Sequence, residues 1–165
     1  KSFGAKVFTT VGSGEKCNKM LELGAELAIN YNKYDFEKII NKYTNNEGIN
    51  IILDIIGANY FNKNLNILSK NGKLLIIAFQ GGYENKLNLL PILKKWLTVT
   101  GSTLRPRSIE EKGLIAKKLY EKVWPLIEKK VVLPQIYGSY NLKDANKAHT
   151  LVESSQHIGK IILTI

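Results

Sequence analysis

Cysteine, methionine, histidine and proline are scarce in this 165-residue chain, which has one, one, two and four of them. With Cys17 alone there is no internal disulfide framework and no zinc site built from several thiolates, and a reducing compartment, the cytoplasm, is the simplest setting. His149 and His157 form no His/Cys cluster of metal-ligand spacing with it. No Ser-His-Asp pattern stands in usable context either, so neither a metal ligand nor a catalytic side chain is assigned. No apolar stretch approaches the ~18 residues that span a bilayer, and Lys1-Ser2-Phe3-Gly4 opens no long apolar segment of the secretory kind. A soluble protein without a membrane partner is expected.

Apolar residues make up 44% of the sequence, enough at this length to bury a core without disulfides or metal, and the length is that of one domain. Charge is one-sided, with 24 Lys and Arg against 14 Asp and Glu. A nucleic-acid partner would need that charge in one patch, interleaved with aromatics on which bases stack. Instead the pairs Lys94-Lys95, Lys117-Lys118 and Lys129-Lys130 lie far apart, which reads as solvated faces and makes nucleic acid an unlikely partner.

Along the chain, Ala5 to Val11 is a short β-branched run ended by Gly12-Ser13-Gly14, a strand entering a turn. A helix over residues 14 to 23 places Cys17, Met20 and Leu21 at helical spacing and stops at Gly24. Leu27 to Asn30 reads as a second strand, and Asp35 to Tyr43 as a helix with Phe36, Ile39, Ile40 and Tyr43 on one face. Asn50 to Ile56 is nearly all apolar, the mark of a strand covered on both faces. Gly72 to Phe79 repeats the pattern after a helix near 58 to 69, and Leu97 to Ser102 repeats it after a helix ending near Trp96. A long amphipathic helix from about Ser108 to Ile127 is interrupted near its end by Pro125. Beyond Lys130 come a β-type stretch from Val132 to Tyr137, a helix from about Lys143 to Val152 and a last strand, Gly159 to Ile165. The alternation predicts an α/β fold, a Rossmann-type doubly wound parallel sheet.

Such a sheet binds nucleotides at the carboxyl ends of its strands. Gly12-Ser13-Gly14 follows a strand and opens a helix, yet Cys17 stands where the third glycine or alanine of G-x-G-x-x-G belongs. The next strand also starts about a dozen residues on, whereas the acidic ribose reader of a complete fingerprint lies about 20 residues on, and neither Asn30 nor Tyr31 is acidic. Residues 5 to 11 therefore read as the second strand, with the first strand and its glycine loop expected before residue 1. The end of a second strand is where the adenosine ribose is recognised. Ser13 and Lys16, beside a helix N-terminus, suit a phosphate there. The same pair also reads as an N-capping serine next to a solvated lysine, and these residues alone leave both readings open.

The runs Gly4-Ala5-Lys6-Val7, Thr10-Val11-Gly12-Ser13, Glu15-Lys16, Leu23-Gly24-Ala25 and Ile29-Asn30-Tyr31 resemble the adenosine-binding stretch of zeta-crystallin-like quinone oxidoreductases. These are zinc-independent members of the medium-chain dehydrogenase/reductase superfamily. Gly48 to Asp54, Gly57, Gly72-Lys73, Gly101 to Arg107 and Ile158 to Leu163 match their later strand ends in collinear order. The resemblance implies NADPH as cofactor and a quinone as substrate. It implies Ser13, Lys16 and Tyr31 at the 2′-phosphate and adenosine, and Ile56 and Gly57 under the adenine side and ribose. Phe79, Gln80 and Gly81 would then lie beside the nicotinamide ribose, with Leu104 and Arg105 at the nicotinamide and its carboxamide; Lys160 is a further cofactor contact. Read without the resemblance, Phe79 is a core aromatic at a strand end and Arg105 a surface partner of Glu110 or Glu111.

The resemblance also implies residues 1–130 as a partial NADPH-binding domain and residues 131–165 as a segment returning to a GroES-like catalytic domain. With strand order 3-2-1-4-5-6, the absent first strand would sit between the second and fourth. The strand at Leu97 to Ser102 would be the outer edge and pair across a two-fold axis in a homodimer. Competing readings are an enoyl or alkenal reductase of the same superfamily and a non-catalytic nucleotide- or RNA-binding module.

Overall fold

In the computed structural model, which describes residues 1–165, apolar runs and turn residues become strands and helices in alternation over Lys6–Lys112. The elements are β1 (Phe8–Val11), α1 (Gly14–Glu22), β2 (Leu27–Asn30), α2 (Phe36–Tyr43) and β3 (Ile49–Asp54), followed by α3 (Ala58–Ile67), β4 (Leu68–Ile76), α4 (Leu90–Lys95) and β5 (Thr98–Gly101). Local chemistry sets the helix ends. Ser13 caps α1 and Asp35 caps α2, each side chain accepting a backbone N–H of the first turn, while Gly24 at φ +97° supplies the left-handed stop after α1.

All strand pairs are parallel. β1 pairs with β2 from Phe8 opposite Leu27 to Val11 opposite Asn30. β4 lies between β3 and β5, with Leu74 opposite both Ile52 and Val99. β1 and β3 are not hydrogen-bonded to each other, and that break falls where the expected strand order holds its first strand. β5 is the outer edge of its sheet, and its four residues are exposed.

Two apolar clusters hold the helices against these strands. Ile29, Phe36, Ile40 and Ile67 form one, and Leu65, Leu68, Leu74 and Leu97 the other, with Ile52 packed against both. A fully buried leucine such as Leu65, Leu68 or Leu74 contributes about 1.5–3 kcal/mol. At the amino ends of β4 and β5, the Lys95 ammonium donates to the carbonyls of Asn66 at 2.6 Å and Leu68 at 2.8 Å, closing the end of α3. Burial pulls its pKa below the usual lysine value, opposed by the charge of Glu37.

Several sequence expectations shift. The strand expected over 72–79 runs from Leu68 to Ile76, because α3 passes directly into it through an irregular step between Leu68 and Lys73. Ile77 to Phe79 leave the sheet. The apolar run of β3 also does not have two covered faces: Ile52 is packed by helices, whereas Ile51 and Leu53 are 66% and 62% exposed. An apolar strand signals two faces to cover, and α2 and α3 supply the cover for one of them.

The other unit comprises Lys1–Ala5 and Gly113–Ile165. α5 (Ile109–Lys122) carries the chain into it, and α6 (Trp124–Glu128) follows with Pro125 in its first turn, as the interruption expected at that proline requires. β6 (Ile136–Asn141) starts later than the expected 132–137 stretch and pairs in parallel with β7 (Lys160–Thr164). Between them lies α7 (Ala145–Glu153), preceded by a 3-10 turn at Leu142–Asp144. His149 is exposed on α7, and His157 lies in the loop after it, its ring 6.3 Å from that of Tyr137. No helix of the chain is long and apolar enough to cross a membrane.

Candidate functional site

Parallel strands of one sheet bring their following loops to one end. In the unit over Lys6–Lys112 two such loop systems carry eight of the eleven sequence-predicted site residues; Leu104 and Arg105 follow β5, and Lys160 opens β7 in the other unit.

The first system is the rim formed by the ends of β1 and β2. Ser13 Oγ accepts the Lys16 N–H at 3.1 Å, so the capping reading of Ser13 is correct. Capping uses the oxygen as acceptor and leaves its own O–H to donate, so it does not exclude a ligand contact. Lys16 is half-buried in the first turn of α1. The Tyr31 N–H donates to Val11 O at 3.0 Å and the Asn32 side-chain amide to Gly12 O at 2.8 Å, tying the two strand ends together. Gly12 faces a close approach: a Cβ there would stand 2.9 Å from the Tyr31 hydroxyl, which would have to shift. The Tyr31 ring meets the ring of Tyr60 edge-on at 6.5 Å, and Tyr60 packs on Phe36 at 4.7 Å. Burial raises the Tyr60 pKa above the usual phenol value, aided by Tyr31 and Asp54. Gly12, Ser13, Tyr31 and Asn32 bring no carboxylate to this rim.

The second system joins the turn after β3 to the loop after β4. Asp54, 3% exposed, accepts the Ile56 N–H at 2.8 Å and the Gly57 N–H on both carboxylate oxygens at 3.2 and 3.1 Å. Gly57 has φ +80°, and a Cβ on it would lie 2.7 Å from both Gly82 O and Phe79 Cδ1. Gln80 N donates to Ile55 O at 3.0 Å, Gly81 N to Ile56 O at 2.8 Å and Ala58 N to Gly82 O at 2.8 Å. Gly81 is equally tight, 2.7 Å from Ile56 Cγ2 at its Cβ position. Asn85 adds a side-chain bond to Ala58 O at 2.9 Å. Two loops far apart in sequence thus form one interlocked structure.

This arrangement brings Ile56, Gly57, Phe79, Gln80 and Gly81 together. Phe79 is 56% exposed, so it is not a core aromatic. Leu104 and Arg105 are exposed in the loop after β5. The partner of Glu111 is Arg107, at 3.2 Å, and not Arg105. Asp54 received no role from the sequence, although an aspartate two residues before Ile56 and three before Gly57 is the spacing at which a carboxylate caps a turn of its own chain. A cavity of about 390 Å³ lies elsewhere, at the amino ends of the strands between Leu68–Lys70 and Lys94–Trp96.

No group of three or more His, Cys, Asp or Glu side chains in residues 1–165 could hold a metal ion. The donor set therefore does not fit zinc, and no chemistry is derived through it. Residues 1–119 match the model of the zinc-binding dehydrogenase family. Quinone oxidoreductase 1 of Escherichia coli (strain K12) is 28% identical over 166 residues, which cover 99% of this chain and 50% of that protein. The human quinone oxidoreductase is 27% identical over 169 residues, covering 100% and 49%. Among solved structures, an Escherichia coli quinone oxidoreductase complexed with NADPH is 27% identical with a TM-score of 0.81, over 99% of this chain and 51% of that one. The chain spans about half the length of these relatives. With the family match over most of the chain and the shared parallel-sheet fold, this protein belongs to the zinc-binding dehydrogenase family, and within it resembles the quinone oxidoreductases of the medium-chain superfamily.

Proposed function

We propose that this chain is the NADPH-binding part of an oxidoreductase that passes a hydride from NADPH to a quinone without zinc. The reading is carried by the rim at the ends of β1 and β2, where Gly12, Ser13, Tyr31 and Asn32 meet without a carboxylate and Lys16 stands in the adjoining helical turn. A carboxylate there would accept from both ribose hydroxyls and repel a 2′-phosphate. A hydroxyl, a phenol and an ammonium beside a helix N-terminus favour that phosphate by hydrogen bonding, charge and dipole. The named relatives, with a solved NADPH complex among them, support the same cofactor and substrate class.

When bound, the reduced nicotinamide supplies the hydride, so no protein nucleophile is needed. The tasks left to the protein are binding, orientation and exclusion of water. Ser13, Lys16 and Tyr31 would hold the phosphorylated ribose, Ile56 and Gly57 would seat the adenine side, and Phe79, Gln80 and Gly81 would lie along the nicotinamide ribose. Leu104 and Arg105 would orient the nicotinamide and its carboxamide. Hydride transfer needs donor and acceptor within about 3–3.5 Å, and the wall that holds the quinone is assigned to the half of the relatives that this chain does not match. The exposed edge of β5 supports a homodimer formed by edge pairing; sedimentation of the full-length polypeptide as a monomer at micromolar concentration would remove that part of the proposal.

Affinity measurements on the full-length polypeptide test the cofactor. Wild type should prefer NADPH over NADH. Lys16→Ala should weaken NADPH by about 1–3 kcal/mol, the scale of a charge-assisted hydrogen bond, and leave NADH nearly unchanged. Equal losses for both cofactors would refute the role of Lys16.

A further inference from the structure

The backbone of the turn after β3 is committed from Ile56 to Ala58. The N–H groups of Ile56 and Gly57 end on Asp54, and that of Ala58 ends on Gly82 O. The carbonyls of Ile55 and Ile56 receive Gln80 and Gly81, and the Gly57 carbonyl receives the N–H groups of Tyr60 and Phe61 at 2.9 and 3.0 Å. Even the Asp54 carbonyl is taken, by Ile77 N at 2.9 Å. A glycine turn between a strand and a helix ordinarily presents free N–H groups to anions. Here a buried carboxylate has turned them inward.

We infer that Asp54 is a positioning residue: it turns the Ile56 and Gly57 amides away from phosphate and fixes the turn, together with the interlocked 79–82 loop, as a neutral seat for the uncharged parts of the nucleotide. The inference rests on the cofactor reading above. Two consequences follow from the geometry. Of the two loop systems, the rim at Ser13 and Lys16 is then the one that receives an anion, so that rim sets the preference between NADPH and NADH. The seat itself is preformed, because a carboxylate buried among its own turn's amides cannot rotate away without leaving those donors unpaired.

Titration of the full-length polypeptide with NADPH and NADH, comparing wild type, Asp54→Asn and Asp54→Ala, reads dissociation constant and stoichiometry separately. A residue that only stabilises the fold raises the apparent dissociation constant by no more than the inverse of the folded fraction, which the urea midpoint of each variant supplies. A positioning residue raises the dissociation constant beyond that factor, in protein that is almost entirely folded. Asp54→Ala, which leaves two amides unpaired, should weaken both cofactors by about ten- to a hundredfold. Asp54→Asn retains one accepting oxygen and should fall between alanine and wild type. The NADPH-to-NADH ratio should stay at its wild-type value in both variants. Should Asp54→Ala fail to fold, Asp54→Asn decides by the same criteria. Dissociation constants within about twofold of wild type in the folded variants, or a ratio that collapses toward unity, would overturn the inference. Wild type that binds neither cofactor would overturn the cofactor reading itself, and the inference with it.

Discussion

The two loop systems at the strand ends are built in opposite ways. The rim of β1 and β2 is shaped by side chains: the Ser13 cap, the Asn32 amide on Gly12 O, and the Tyr31 hydroxyl over Gly12. The turn after β3 and the loop after β4 are shaped mainly by backbone against backbone, with Asp54 locking the turn and Asn85 bonded to Ala58 O. Side-chain surfaces can change chemistry without changing the chain's path, and this suits a rim that discriminates between cofactors by charge. Interlocked backbone fixes distance and shape, and it suits a seat that must meet any nucleotide in the same place.

The sharpest way to break the contrast is to add one carbon at a glycine of each system. Gly57→Ala places a Cβ against backbone Gly82 O and the Phe79 ring at φ +80°. Left-handed strain and overpacking together should cost about 2–5 kcal/mol, read as a lowered urea midpoint of the full-length polypeptide. Gly12→Ala meets instead the Tyr31 hydroxyl at 2.9 Å and the Asn32 amide nitrogen at 3.6 Å, the far ends of two side chains that can swing aside. Its stability change should stay within about 0.5 kcal/mol, as for ordinary surface substitutions. Because Tyr31 must move, NADPH affinity should still fall. A Gly12→Ala midpoint as low as that of Gly57→Ala would show that both rims are rigid and erase the distinction.

Much of the fold was legible in residue order. Gly24 after an apolar helix, the Ser13 and Asp35 caps and the apolar runs at Leu27 and Asn50 each carry a local signal, and local signals need no partner to be read. The β3 run was read correctly as a strand and wrongly as one with two covered faces. Sequence hydrophobicity records that Ile51 and Leu53 call for cover; which element provides it is a matter of tertiary arrangement. The early start of the loop after β4 was hidden for a similar reason: Ile76, Ile77 and Phe79 are equally apolar, and the bond from Ile77 N to Asp54 O is where pairing ends.

For the site, the sequence by itself determined the chemistry of the β1–β2 rim, since the lack of a carboxylate at Asn30 and Tyr31 and the presence of Ser13 and Lys16 are facts of composition at known strand ends. Only the tertiary structure decided that Gly57 and Gly81 need their missing side chains, because each is crowded by residues more than twenty positions away: Phe79 and Gly82 against Gly57, Ile56 against Gly81. It likewise turned Asp54 from one more polar end of a strand into the residue that closes the turn, for a carboxylate's role is set by which donors the folded chain brings within about 3 Å of it.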